Sequence, residues 1–148
     1  NDIYVSGKKI SGILSEGKKI MGAFGIVLGI GFNLLHKRED FHEEIRETAT
    51  SFFLEAKEEK SVKEFLDEFL PILSKNYKEF ENNKWDHLVK VIREKLAFKG
   101  EKVSVEIGNQ KHIGILNGIN DEGFLILTTN NGIMEISAGE ITKIRPER

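Results

Sequence analysis

The first 33 residues, NDIYVSGKKISGILSEGKKIMGAFGIVLGIGFN, decide how the chain is read. Ile3 and Val5 alternate weakly and run into Ser6-Gly7, a turn signal. From Lys9 to Ser15 the alternation puts Ile10, Gly12 and Leu14 on one face and Lys9, Ser11 and Ile13 on the other. That predicts a hairpin with Lys9 at the start of its second arm. Glu16-Gly17-Lys18-Lys19 predicts another turn, and Ile20 to Asn33 a long, glycine-spaced apolar strand. Glycine inside a strand marks a bulge or the close approach of a ligand or a second backbone. The reading is a three-stranded antiparallel meander, too thin to bury both faces unaided, so partner strands are expected elsewhere.

The pattern then becomes helical. Asp40 and Glu43 suit a helix start, with Phe41, Ile45 and Ala49 at helical spacing behind them. Ser61-Val62-Lys63-Glu64 reads as a capping box. Behind it Phe65, Leu66, Phe69, Leu70, Leu73, Tyr77 and Phe80 recur at three and four residues, the strongest helix in the chain. Pro71 inside it predicts a kink or a one-turn interruption, because proline removes a donor and crowds the preceding turn. Asn82-Asn83 ends that helix. Trp85, Leu88, Ile92 and Leu96 define another over Lys84 to Leu96.

Near residues 97 to 101 the period changes from 3.6 to 2. Five short strands follow in about 45 residues, separated by Gly108-Asn109, Asn120-Asp121-Glu122-Gly123, Asn131-Gly132 and Gly139. They predict a small SH3-like β-barrel. The expected fold class is α+β: an antiparallel sheet backed by helices over residues 1–98, then the barrel over 99–148.

Composition narrows the functions. The 148 residues carry a formal charge of −2, which gives no field for nucleic acid. There is no cysteine, which excludes disulfides and thiolate metal sites and fits a reducing cytoplasm. No apolar run approaches the roughly 18 to 20 residues of a membrane span. His36, His42, His87 and His112 have no metal-ligand spacing. The chain opens on Asn1-Asp2 inside a patterned region, which reads as a fragment or a cleavage product.

Three polar anchors remain: Asn1-Asp2, Lys9 and Asn33. Each has an ordinary explanation, as turn chemistry, a solvated hairpin lysine and a strand-end asparagine. Each also has a functional one. A lysine on a rigid strand, followed by Ser11-Gly12, can hold a point charge against a carboxylate or phosphate. Gly29-x-Gly31-x-Asn33 lacks the third glycine and the following helix of a dinucleotide fingerprint, yet it leaves room beside the backbone. Lys37-Arg38 is a solvated loop or an anion contact.

In order and spacing, these residues resemble the biotin protein ligase family, the biotin–[acetyl-CoA carboxylase] ligases. Asn1-Asp2 matches the end of its K-W-P-N-D segment. Lys9-Ile10-Ser11-Gly12-Ile13-Leu14 matches K-x-x-G-[IV]-L, and Gly29-Ile30-Gly31-Phe32-Asn33 matches G-x-G-x-N. Ala49-Thr50-Ser51-Phe52 looks like the A-T-S-L step, and residues 99–148 look like the C-terminal SH3-like domain. The glycine- and arginine-rich biotin loop and the Lys-Trp-Pro before Asn1 are not in this chain.

The resemblance implies an enzyme that activates biotin with Mg-ATP to biotinyl-5′-AMP. It then transfers biotin to a lysine of the biotin carboxyl carrier protein of acetyl-CoA carboxylase. Lys9 becomes the catalytic cation, touching biotin and ATP. Gly12, Leu14 and Gly29 line the biotin slot with Lys9. Asn1, Asp2, Asn33, Lys37 and Arg38 join Lys9 at ATP, with Asp2 also at Mg2+. Glu140 and Arg145 are expected to help hold ATP and the carrier. This chain alone is expected to be inactive without the missing N-terminal half of the ligase. The run Ile20 to Leu28 could serve as the edge strand of a homodimer. The alternatives are a lipoate–protein ligase-like enzyme and a non-catalytic module for carrier binding or dimerisation.

Overall fold

The computed structural model describes residues 1–20, 22–82, 84–137 and 141–146, without the side chains of residues 20, 23 and 141–146. The chain divides into two compact units, Asn1–Ile72 and Leu73–Arg148. Both are built on antiparallel sheets, so the α+β class holds. The division falls inside a helix, ahead of the change of period near residue 99.

The first unit carries the expected meander: β1 (Asp2–Val5), β2 (Lys8–Ile20) and β3 (Ala23–Phe32), in that spatial order. Ser6 and Gly7 both have positive φ, +51° and +75°, and close β1 onto β2 as a two-residue hairpin loop. The turn expected at Glu16-Gly17-Lys18-Lys19 does not form. Those residues stay in β2 and pair with Val27, Ile26, Gly25 and Phe24 of β3. The glycine that suggested a turn has another use: a Cβ on Gly17 would stand 2.8 Å from the Phe24 ring, which lies across it. An aromatic ring covering a cross-strand glycine restores the contact that the missing side chain gives up.

The helix expected from Asp40 onward does not form either. Residues Arg38–Asp40 make one 3-10 turn, α1 spans only Phe52–Ala56, and the stretch between is turns. Phe41 and Ala49 are nevertheless buried, with Ile10 and Leu34. Their helical spacing came from folding back on the strand base, and Ala49 bridges to Lys9 instead of extending a helix.

Helix α2 (Val62–Glu81) opens with the predicted capping box: the Glu64 N–H donates to Ser61 Oγ at 3.2 Å, and the Ser61 N–H donates to the Glu64 carboxylate at 2.9 Å. It runs through Pro71 without interruption. Within the first unit, Phe65 of α2 stacks on Phe32 of β3 with ring centroids 4.5 Å apart. Beyond that contact the outer hairpin keeps Phe24, Ile26 and Leu28 at least half exposed, and α2 exposes Val62, Leu66 and Leu70.

The second unit contains α3 (Trp85–Lys95) and strands β4 (Lys102–Ile107), β5 (Gln110–Ile119), β6 (Leu125–Thr129), β7 (Gly132–Ile136) and β8 (Ile141–Pro146). The spatial order is β7-β6-β5-β4-β8. Among the described residues β7 and β8 do not pair, so the five strands form a sheet with two ends instead of a closed barrel. Val103, Val105, Leu116, Leu127 and Ile136 are fully buried and make its core, flanked by Leu96, Phe98, Ile107, Leu125 and Met134. The β6–β7 loop is Asn130-Asn131, one residue earlier than Asn131-Gly132, because Thr129 pairs with Gly132. Trp85 Nε1 donates to the Asp121 carbonyl at 2.6 Å, and Arg93 Nε donates to the Ile119 carbonyl at 3.0 Å. These bonds tie α3 to the loop after β5.

Candidate functional site

The site is built at the base of the first sheet. β1 meets β2 with Asp2 opposite Gly12 and Ile3 opposite Ser11, and the register then slips so that Tyr4 faces Lys9. Ile10 is the extra residue of a bulge. A bulge breaks strict alternation and re-aims a side chain. Ile10 and Ser11 are consequently both buried, although simple alternation separates them. Lys9 is turned to the face of Gly12, where alternation did not put it: a Cβ on Gly12 would lie 3.5 Å from Lys9 Cε and Nζ and 3.6 Å from Asp2 Oδ1.

Lys9 Nζ and Asp2 Oδ1 form an ion pair at 2.7 Å, the lysine side chain 45% exposed and the aspartate 25%. The pair borders an open hollow of about 490 Å³, lined by Asn1, Asp2, Lys9, Gly12, Ile13, Leu14, Gly29, Ile30 and Gly31. That volume lies within the roughly 300 to 1,000 Å³ of small-molecule sites. The floor is the β2–β3 ladder, where Gly12 pairs with Gly31, Ile13 with Ile30 and Leu14 with Gly29. Gly12, Gly29 and Gly31 do not have the positive φ that favours glycine. A Cβ at Gly29 or Gly31 would come no nearer than 3.9 Å to any neighbour. Glycine here serves neither the backbone nor the packing of the fold. What its absent side chains leave is the space of the hollow.

The hollow thus gathers Asn1, Asp2, Lys9, Gly12, Leu14 and Gly29. Gly31, whose glycine was expected to leave room beside the backbone, also lines it, and Ile13 and Ile30, which were given no site role from sequence, complete the lining. Strand pairing brings them into the floor, since Ile13 pairs with Ile30 and Gly31 with Gly12. Asn33, Lys37 and Arg38 lie outside the lining. Asn33 fastens the strand base: its Nδ2 donates to the Thr50 carbonyl at 3.0 Å, and its N–H donates to the Ile10 carbonyl at 2.9 Å. Arg38 is ion-paired with Glu47, and holds that carboxyl below the usual glutamate range. The Lys37 N–H donates to Asp40 at 2.7 Å. Gly139 and Glu140 lie outside the described residues, as does the side chain of Arg145.

The Ala49-Thr50-Ser51 step pins the site from the other side. The Lys9 N–H donates to the Thr48 carbonyl at 2.8 Å, and the Thr50 N–H donates to the Lys9 carbonyl at 2.9 Å. Thr50 and Ser51 are buried. Ser51 Oγ donates to the His36 carbonyl at 2.5 Å and accepts from the Leu54 N–H at 3.1 Å, capping α1. Thr50 Oγ1 donates to Glu55 at 2.6 Å.

That hydroxyl chiefly, with Ser6, holds the Glu55 carboxyl below the ordinary glutamate range, helped by Lys8 and Lys57. A carboxyl depressed in the folded state stabilises the fold above its unfolded pKa. The contribution disappears as pH falls through the lower, folded value. Glu55→Gln is therefore expected to be less stable than the wild type near neutrality, the gap closing below about pH 4. Thermal unfolding of both proteins across that range checks this, and a gap independent of pH refutes it.

Residues 99–143 match the family model for the biotin protein ligase C terminal domain. The rest of the chain matches as well. The bifunctional ligase/repressor BirA of Bacillus subtilis is 31% identical over 143 residues, 95% of this chain and 44% of that protein. The protein of the same name from Bacillus spizizenii is 29% identical over the same length. The apo biotin protein ligase of Aquifex aeolicus superposes with a TM-score of 0.86 at 30% identity, covering 99% of this chain and 63% of that one.

The chain is similar to biotin protein ligases along almost its whole length.

Both units are included in that relationship, since the Aquifex match covers 99% of the chain. The same Aquifex enzyme in complex with biotin and ATP superposes at a TM-score of 0.84 and 31% identity, over 99% of this chain and 60% of that one. The chain spans 44% of the length of the two Bacillus relatives. No helix among the described residues is long and apolar enough to cross a membrane.

Proposed function

We propose that this chain is part of an ATP-dependent biotin–protein ligase of the cytoplasm and that the hollow beside Lys9 receives the reacting ends of biotin and ATP. In this reading residues 1–98 are the C-terminal part of the catalytic domain and 99–148 the C-terminal domain. The observation that carries it is the placement of the Lys9 ammonium at the mouth of a glycine-floored hollow, on a backbone fixed on both sides.

The chemistry follows from that placement. A carboxylate oxygen of biotin attacks the α-phosphorus of ATP, pyrophosphate leaves with its electron pair, and an acyl-adenylate results. Two anions must meet, and negative charge gathers on the α-phosphate oxygens. A fixed ammonium between them offsets their repulsion and is strongest when no reorganisation is needed at the moment of reaction. The carrier lysine amine then attacks the acyl carbon, forming the amide and expelling AMP. Gly12, Leu14 and Gly29 give biotin an apolar slot beside Lys9. Asn1, Asn33, Lys37 and Arg38 are assigned to the nucleotide side; of these the hollow includes only Asn1, while Asn33 is bonded to Thr50 and Arg38 is paired with Glu47.

Mg2+ is a further part of the proposal. Among the described residues no three His, Cys, Asp or Glu cluster to hold a metal ion. Magnesium bound through nucleotide phosphates needs one or two carboxylates and keeps several waters. Asp2, on the wall of the hollow and partly exposed, fits as that carboxylate. The ion would neutralise phosphate charge, while Asp2 exchanges its contact with Lys9 for one with the ion.

The exposed row Phe24, Ile26 and Leu28, with Val62, Leu66 and Leu70, is where the N-terminal half of the ligase is proposed to pack. A large apolar surface of this kind marks an interface. Pairing of the Ile20 to Leu28 edge with a second copy is the other use of the same arm. Its residue 21 lies outside the described residues.

Two experiments test the reading. The full-length ligase should be thermally stabilised by biotin and ATP and not by lipoate, whereas stabilisation by lipoate alone would place it among the lipoate ligases. Gly29→Val should leave the thermal midpoint unchanged or slightly raised, because valine suits a strand by up to about 1 kcal/mol more than glycine. It should weaken biotin binding at least about tenfold by occupying the slot. Undiminished biotin binding by a folded Gly29→Val protein would remove Gly29 from the site.

A further inference from the structure

We propose that Glu55 is a positioning residue for Lys9, holding through the Thr50 segment and the Ser6 turn the stretch of backbone from which the ammonium projects. The proposal rests on the reading of Lys9 as the adenylation cation.

Lys9 sits at the bulge, where its own N–H and C=O turn away from β1. They bond instead to Thr48 and Thr50, at 2.8 and 2.9 Å. The position of Lys9 is therefore set by how well residues 48–50 are held. The Thr50 side chain is held by Glu55, whose Oε1 accepts from Thr50 Oγ1 at 2.6 Å. The other carboxylate oxygen, Oε2, accepts from Ser6 Oγ at 3.1 Å, 49 residues away in sequence. Ser6 is in the hairpin loop that leads into Lys8 and Lys9, in the left-handed region at φ +51°. One carboxylate thus joins the turn before Lys9 to the segment that clasps it. Glu55 itself is exposed and sits in α1, which is anchored by the Ser51 cap. An exposed carboxylate is commonly solvated, and this one has both oxygens committed to hydroxyls that bracket Lys9.

Catalysis by a fixed charge depends on its position to within about an ångström, and a misplacement of that size can cost up to about 100-fold. Removing Glu55 loosens the clasp without touching the hollow. In the full-length ligase Glu55→Ala is expected to lower kcat for biotinyl-adenylate formation about tenfold, with KM for biotin and ATP changed less than about twofold. Glu55→Gln, which keeps one acceptor oxygen, should fall between. The decisive readout is a double-mutant cycle with Lys9→Ala. If Glu55 acts through Lys9, its loss costs nothing further once the ammonium is gone. An equal loss in both backgrounds, or an unchanged kcat in a folded Glu55→Ala protein, overturns the proposal. If Glu55→Ala does not fold, the same cycle with Glu55→Gln separates the same two outcomes. A neutral Lys9→Ala would instead sink the underlying reading of Lys9, and this proposal with it.

Discussion

Lys9→Ala in the full-length ligase is expected to slow biotinyl-adenylate formation about 100- to 1000-fold, the loss of about 2.7 to 4 kcal/mol seen when one preorganised electrostatic contact is removed. The effect should appear chiefly in kcat, because the charge on the α-phosphate oxygens is greatest in the transition state. Folding should be almost unaffected. The ammonium's structural partner is Asp2, and a partly exposed ion pair is worth about 1 kcal/mol or less. Lys9→Arg should not restore the rate. The guanidinium is larger and planar, and its fork would displace the substrate from a space shaped by Gly12. Rapid-quench measurement of adenylate formation, paired with thermal unfolding, separates these terms. A Lys9→Ala protein within threefold of the wild-type rate would show that the cation is supplied elsewhere.

Leu127→Ala is expected to destabilise the second unit by about 2 to 5 kcal/mol, the range for emptying a fully buried leucine site. Leu127 is completely buried in β6 against Val103, Val105, Leu116 and Ile136. Its surroundings have little room to relax. β5 approaches so closely that a Cβ at Gly114 would sit 2.5 Å from the Thr128 carbonyl oxygen and 3.0 Å from Leu127 Cγ. That places the expectation toward the upper part of the range. Urea unfolding of the two proteins measures it, and a difference below about 1 kcal/mol would mean that the core collapses onto the vacated volume.

Much of the strand and helix order was legible because periodicity reports burial directly. The meander of the first unit, α3 and the strands after residue 101 all follow alternation or helical spacing that the folded units use. Failures came where one residue type serves two purposes. Gly17 read as a turn, and instead lies under the ring of Phe24 inside a continuous strand. Phe41, Ile45 and Ala49 read as a helical stripe, yet Phe41 and Ala49 are buried from turns and a bridge.

The candidate site was legible as motif residues and not as geometry. Strict alternation put Lys9 on the face opposite Gly12, and only the bulge at Ile10 brings the ammonium over the glycine floor. Bulges leave a faint trace in sequence, because the extra residue is an ordinary one. The clasp around Lys9 was equally hidden. Thr48 and Thr50 are about 40 residues from Lys9 in sequence and meet it through backbone bonds that any residue could make, while Glu55 reaches Thr50 and Ser6 through its side chain.

The most direct test is a structure of the full-length ligase with biotinyl-5′-AMP bound. The acyl-phosphate is expected in the hollow, with one of its oxygens within hydrogen-bond distance of Lys9 Nζ, at about 2.7 to 3.2 Å, and the apolar part of biotin over Gly12 and Gly29. An adenylate seated elsewhere, or seated in the hollow with Lys9 turned to solvent, would contradict it.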